Sequence, residues 1–224
     1  MNVTAQTILE LARGEIGVTE SPPGSNRVKY NTFYYGREVS GSNLHWCAVF
    51  VWWLFGQAGV PELYFGGGKT AYCPALLYHH RHQKVSGDYR PGDILFFNFD
   101  GGMLARHVGV CEAFDGTFVT TIDGNTGTSN EANGGAVLRR TRHKKYIVGA
   151  YRPAYQEEET MTQEQFDSML EDYLNRQREK RPVQLWLLEG IEKAKAVGVT
   201  DGSNPMALCT RGEAMMMAAA AAGK

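Results

Sequence analysis

The chain has 224 residues, 43% of them apolar and 21% charged, which is the composition of a globular protein with a buried core. Its 23 basic and 24 acidic residues give a net charge of −1, so it lacks the clustered basic excess of a nucleic-acid binder. No apolar run is long enough to span a bilayer, and four scattered cysteines make neither a disulfide framework nor a zinc ribbon.

Taken in order, Thr4 caps a helix over residues 5–16, with Thr7, Ile8, Leu11, Ala12 and Ile16 along one stripe and Gly17 at its end. Ser21-Pro22-Pro23-Gly24-Ser25-Asn26 reads as a turn-rich loop. Val28 to Tyr35 is Tyr-rich and reads as a short helix or a groove wall, and Gly36 to Asn43 is a polar loop. Then comes an abrupt change, from Asn43-Leu44-His45-Trp46 into Cys47-Ala48-Val49-Phe50-Val51-Trp52-Trp53-Leu54-Phe55, three turns of apolar helix stopped by Gly59-Val60-Pro61. A cysteine at a helix start faces unpaired N–H groups, whose partial positive charge favours the reactive thiolate.

Phe65-Gly66-Gly67-Gly68-Lys69-Thr70 lacks phosphate-loop spacing and reads as a flexible loop. A further helix is expected over Cys73–Gln83, with His79, His80 and His82 at a solvated end rather than in a metal site. From residue 90 the pattern alternates. Strands are expected over 94–99, 107–114, 118–123 and 146–151, with Val137-Leu138 as another short one and Arg139 to Lys145 as a basic turn. Helices followed by an antiparallel meander define an α+β fold.

Composition changes at Tyr155. Residues 1–155 read as the main domain, 156–162 as an acidic linker and 163–224 as a small all-α module. In that module Thr162 and Gln165 have capping-box spacing, and Phe166, Met169, Leu170, Tyr173 and Leu174 mark one helical face. Pro182 opens a second helix to Gly198, and Thr210-Arg211-Gly212-Glu213 precedes a Met/Ala-rich third.

A thiolate nucleophile requires an imidazole to hold its proton and a third group to orient that imidazole. Of six histidines, His107 differs in opening a strand of small and apolar residues, Val108-Gly109-Val110-Cys111. Asp115-Gly116 marks a hairpin to the next strand. A two-residue loop would put Asp123 and Asn125 on the face opposite His107. The three-residue loop 115–117 pairs Phe114 with Phe118 and His107 with Asn125, so Asp123 and Asn125 share the face of His107. That register also gathers Val108, Val110, Phe114, Phe118 and Ile122 on the other face, and we adopt it. Gly109 leaves room beside the histidine.

Cys47 at a helix start, Pro91-Gly92-Asp93 before an aromatic strand, Arg106-His107-Val108-Gly109 and Ile122-Asp123-Gly124-Asn125-Thr126 together resemble the CHAP family, over roughly residues 5–155. These are cysteine, histidine-dependent amidohydrolases/peptidases, related in fold to papain-like and NlpC-type enzymes and frequent in phage endolysins and bacterial autolysins. The resemblance implies a papain-like α+β fold and cleavage of a peptidoglycan amide bond, either N-acetylmuramoyl-L-alanine or a peptide link. Cys47 matches the nucleophile, His107 the base, Asp123 the acidic member and Asn125 a nearby asparagine; either Asp123 or Asn125 would orient the imidazole. The acidic position is often Glu in the family and is the shorter Asp123 here.

The loop before Cys47 lacks the acidic cluster by which some members bind calcium, so neither metal nor cofactor is expected. Tyr30, Tyr34 and Trp46, with Phe33 and Tyr35, are expected to wall a groove for the polymer, and Tyr30 is a candidate second oxyanion donor. The C-terminal piece resembles a wall-associated module of phage lysins through Trp186, Ala194, Gly198-Val199, Gly202 and Thr210-Arg211; a helical spacer or self-associating hairpin is the alternative. The N-terminus lacks the basic and apolar regions of a signal peptide, so synthesis in the cytoplasm and release by host lysis or non-classical export is expected. Rival readings are a catalytically vestigial wall-binding module and a cysteine peptidase or transamidase acting on protein.

Overall fold

The structure is a computed structural model that describes residues 3–129, 133–156, 161–179, 185–196 and 198. The chain divides into two units, Met1–Glu158 and Glu159–Lys224. In the first, α1 (Ala5–Gly14) begins at Thr4, whose hydroxyl accepts from the Thr7 N–H while the Thr7 side chain returns to the Thr4 backbone. It ends two residues earlier than the stripe suggests, leaving Ile16 more than a third exposed. The Tyr-rich segment is α2 (Lys29–Tyr35), closed by Gly36 at φ +70°.

At the centre is α3 (Cys47–Gln57), in which Cys47, Ala48, Val49, Phe50, Val51, Leu54 and Phe55 are all buried. A helix that is apolar on every side is stable only when surrounded, and α1, α2, β2 and β3 all pack on it. Gly59, at φ +75°, closes it, with the Val60 N–H returning to the Phe55 carbonyl at 3.0 Å. Short helices α4 (Glu62–Phe65) and α5 (Cys73–His79) follow.

α5 stops four residues short of the expected Gln83; His79 and His82 at its end are exposed as expected, but His80 is not. His80 is buried, its ring stacked 3.6 Å from that of Tyr151, with Nε2 bonded to the Tyr64 carbonyl and Nδ1 to Gln83 Oε1, both at 2.6 Å. Held by these contacts and by the stack on Tyr151, His80 belongs to the core.

Five strands, β1 (Ile94–Phe97), β2 (His107–Phe114), β3 (Phe118–Thr126), β4 (Ala136–His143) and β5 (Ile147–Tyr151), form one antiparallel sheet in the order β4-β3-β2-β1-β5. Single bridges from Thr19 to Ala136 and from Lys84 to Tyr151 cover part of both edges. The residues expected as a basic turn are strand β4. Arg139 pairs with Ile122 and Arg142 with Val119, so β-ladder hydrogen bonding prevails over a run of charges that reads as solvated.

The β2–β3 hairpin corrects one detail and keeps another. At its tip Phe114 pairs with Val119, not Phe118, but a bulge between Cys111 and Ala113 restores Cys111↔Thr121 and Val110↔Ile122, the register expected nearer the site. An extra residue reverses the alternation beyond it. Val108, Val110 and Ile122 therefore pack under the helices, whereas Phe114 joins a second cluster with Leu95, Phe97, Cys111 and Val119, and Phe118 is exposed.

The second unit contains α6 (Gln163–Glu179) and α7 (Leu185–Ala196). Thr162 and Gln165 make the reciprocal capping bonds, 2.9 and 3.1 Å. Gly202 and the expected helix after Thr210 lie outside the described residues. Among the described residues no helix is long and apolar enough to cross a membrane.

Candidate active site

The first residue of α3, Cys47, comes together with the first residue of β2, His107, and with Asp123 near the end of β3. Two glycines permit the approach. A Cβ on Gly124 would stand 2.5 Å from Phe50 Cβ and 2.9 Å from Trp46 Cζ3, so only a bare backbone lets α3 press this closely on β3. A Cβ on Gly109 would stand 1.9 Å from Asp123 Oδ1. The space beside the histidine is thus filled by its acidic partner.

His107 Nε2 and Asp123 Oδ2 are 2.9 Å apart, and both side chains are fully buried. Asp123 Oδ2 also accepts from Arg142 Nη1 at 2.6 Å, and the guanidinium further reaches Thr121 Oγ1 and Thr126 Oγ1. The rings of Phe97 and Phe99 lie about 6 Å from the His107 ring and 5.2 and 5.3 Å from the guanidinium, so apolar surface flanks the ion pair. Burial pushes Asp123 toward protonation, but the charge of Arg142 and the bond from His107 prevail and hold its carboxyl below the usual range. Burial alone would lower His107; its bonds to Asp123 and Cys47 outweigh that and raise it to about 9.

On the other side of the ring, Nδ1 has no partner meeting hydrogen-bond geometry, yet Cys47 and His107 act on one another's ionisation. We read the two as adjacent and imperfectly aligned, as catalytic pairs often are without substrate. The thiol of Cys47 is held well below its ordinary range, first by the sulfur of Cys73 at 3.8 Å and then, against burial, by His107 and the Ala48 N–H. Cys73 moves in the opposite direction. Only Cys47 has an imidazole, so Cys47 is the member of the pair that ionises. Asp123 and Arg142 place a carboxylate and a guanidinium in the same buried network as the Cys47–His107 pair.

Asn125 is buried at φ +56°, with neither amide atom hydrogen-bonded among the described residues. It interrupts the register between β3 and β4. Of the two candidates, Asp123 alone bonds the imidazole.

Two aromatic expectations are corrected. Tyr30 is fully buried, donates its hydroxyl to Glu15 and stacks on Trp46; it is neither a groove wall nor an oxyanion donor. Trp46 is likewise buried, with Nε1 donating to Glu20 Oε1 at 2.8 Å. Both anchor α3, because flat amphipathic rings with one polar atom satisfied make good core. Tyr34 is half-buried against Trp52, and Phe33, Tyr35 and Tyr72 are exposed.

Two participants were missed by sequence reasoning. Arg142 lies hidden in a basic run, and Cys73 has no spacing that relates it to Cys47. The Cys73-Pro74 helix start was the available signal for Cys73. A groove of roughly 820 Å³ between residues 18–21 and α2, lined by Thr19, Arg27, Lys29 and Phe33, contains none of the four site residues.

A thiol at a helix start beside a carboxylate-bonded imidazole is the arrangement that thiol-dependent acyl transfer requires. Residues 39–125 match the family model of the CHAP domain, a span that contains Cys47, His107, Asp123 and Asn125. Over that stretch the chain is similar to the CHAP domain, and the similarity implies amidase or peptidase activity on peptidoglycan in general. No curated protein and no solved structure matches the chain.

Proposed function

We propose that the protein hydrolyses an amide bond of bacterial peptidoglycan, an N-acetylmuramoyl-L-alanine link or a peptide link of the stem or crossbridge, through a Cys47 thioester. The observation that carries this reading is the His107–Asp123 pair, 2.9 Å apart and wholly buried, beside the Cys47 thiol. His107 holds the Cys47 proton as an imidazolium oriented by Asp123. The thiolate attacks the amide carbonyl, and the oxyanion is held by the N–H groups of the first turn of α3, which no side chain caps. His107 gives its proton to the leaving amine, then takes one from the water that hydrolyses the thioester.

The exposed aromatic rings of Phe33, Tyr35 and Tyr72, with half-buried Tyr34, provide flat surfaces for a sugar-peptide polymer. The biological setting we favour is a phage or prophage endolysin, or an autolysin, that meets the wall after release. Residues 163–224 would serve wall attachment or self-association. Mass spectrometry of muropeptides after digestion of purified peptidoglycan, with casein digested in parallel, tests the substrate. New stem or crossbridge termini support this function; cleavage of casein alone, or binding without cleavage, would replace it.

A further inference from the structure

The sulfurs of Cys47 and Cys73 lie 3.8 Å apart at the starts of two different helices, α3 and α5, and both residues are buried. The hydroxyl of Tyr64, itself fully buried, is shared between the Ala48 carbonyl at 2.9 Å and the Thr70 carbonyl at 2.6 Å. Tyr64 thereby ties the first turn of α3 to the segment that leads into α5, holding the two cysteines side by side. Nothing in thiol hydrolysis requires a second thiol there. A disulfide needs the sulfurs at about 2.05 Å, so they must close by roughly 1.8 Å from their present separation.

We propose that Cys47 and Cys73 form a peroxide-sensing pair, in which Cys73 is the resolving thiol that converts oxidised Cys47 into a reversible disulfide. The oxidant class is a hydroperoxide, with hydrogen peroxide the simplest. In the first step the Cys47 thiolate attacks one peroxide oxygen and the O–O bond breaks. The departing hydroxide takes the imidazolium proton of His107 and leaves as water, with Cys47 as sulfenic acid. In the second step the Cys73 sulfur attacks the Cys47 sulfur, the S–O bond breaks, and the hydroxyl leaves as water with the Cys73 proton. Two thiols have lost two electrons, and one peroxide has become two waters.

The chemistry favours this order. A nucleophilic thiolate reacts with peroxide first, and without an adjacent thiol a sulfenic acid goes on to sulfinic acid, which dithiols do not reverse. Cys73 is close enough to intercept it. Cys111 is set apart in the second cluster of the sheet. The disulfide removes the nucleophile and silences the site until a dithiol restores it, so the pair protects the nucleophile while switching it off. The proposal needs a reactive Cys47 but not a particular substrate, and so stands apart from the peptidoglycan assignment.

The test uses the full chain, reduced, desalted without oxygen, exposed to excess hydrogen peroxide, quenched with catalase and alkylated. Digestion without reductant should give the Cys47 and Cys73 peptides joined and lighter by two hydrogens than their sum. Wall-clearing activity should be lost and then largely regained with dithiothreitol. In Cys73→Ser the same treatment should leave Cys47 as sulfinic acid and the loss permanent. Sulfinic Cys47 in the unmodified chain, a link made instead to Cys111 or Cys209, or equal recovery in Cys73→Ser would overturn the proposal. If Cys73→Ser does not fold, the joined peptide in the unmodified chain decides; if the protein clears no wall, the same peptide decides without an activity readout.

Discussion

One carboxylate oxygen, Asp123 Oδ2, lies 2.9 Å from His107 Nε2 and accepts from Arg142 Nη1 at 2.6 Å. The arginine belongs to β4, two strands from the histidine, and reaches along β3 from its own position opposite Val119. It keeps a buried carboxylate charged, and a charged carboxylate keeps the imidazole protonated beside the thiol. Removing it should be felt in both stability and turnover. Arg142→Met leaves Asp123 without its cation, and breaking a buried pair typically costs about 3–5 kcal/mol. Denaturant unfolding should report that loss, and activity should fall even where the variant is fully folded.

The pH dependence follows from the same chain of contacts. In the proposed mechanism the active form is Cys47 thiolate with His107 imidazolium, which disappears when the imidazolium deprotonates. kcat/KM should therefore fall as pH rises through about 9. Its acid limb should lie below the ordinary thiol range, because Cys47 is lowered. Asp123→Asn removes the negative charge that raises His107, so the alkaline limb should move to lower pH. An unmoved limb would mean that Asp123 does not set the state of the imidazole.

The cysteines should separate by reactivity. Burial pushes Cys111 up to about 12 and Cys73 is also raised, whereas Cys47 is lowered. Timed alkylation with iodoacetamide at neutral pH, read by peptide mass spectrometry, should label Cys47 well before Cys73 and Cys111. Equal rates would contradict an activated thiolate.

Two glycine substitutions probe the close approaches. Gly109→Ala puts a methyl group where Asp123 Oδ1 sits, so it should reproduce the pH shift of Asp123→Asn. Gly124→Ala forces Phe50 and Trp46 away from β3 and should destabilise the fold by about 1–3 kcal/mol while displacing Cys47 from His107. Thermal unfolding and turnover, measured on both, distinguish the two effects.

Much of this site could be read before any coordinates, because its parts are local. A cysteine at the abrupt start of an apolar run, a histidine opening a strand and an acid two residues before an asparagine are each visible in the chain, and hairpin register joins the last two. What was hidden depends on tertiary context. The bulge at Glu112 changes the faces of Phe114 and Phe118 while leaving His107 and Asp123 in the expected relation. Arg142 looks solvated until β4 places it over Asp123. Tyr30 and Trp46 have the composition of a groove wall, and only the polar atoms they meet, Glu15 and Glu20, show that they are core. Cys73 reaches Cys47 through a loop whose path no periodicity specifies.

The central claim is that Cys47 is the nucleophile and His107 its base. The direct measurement is release of soluble fragments from purified peptidoglycan by the unmodified chain, Cys47→Ala and His107→Ala, each shown by circular dichroism to be folded. We expect Cys47→Ala to be inactive and His107→Ala to lose about 10²–10⁴-fold. Fragment release by folded Cys47→Ala at the rate of the unmodified chain would contradict the account.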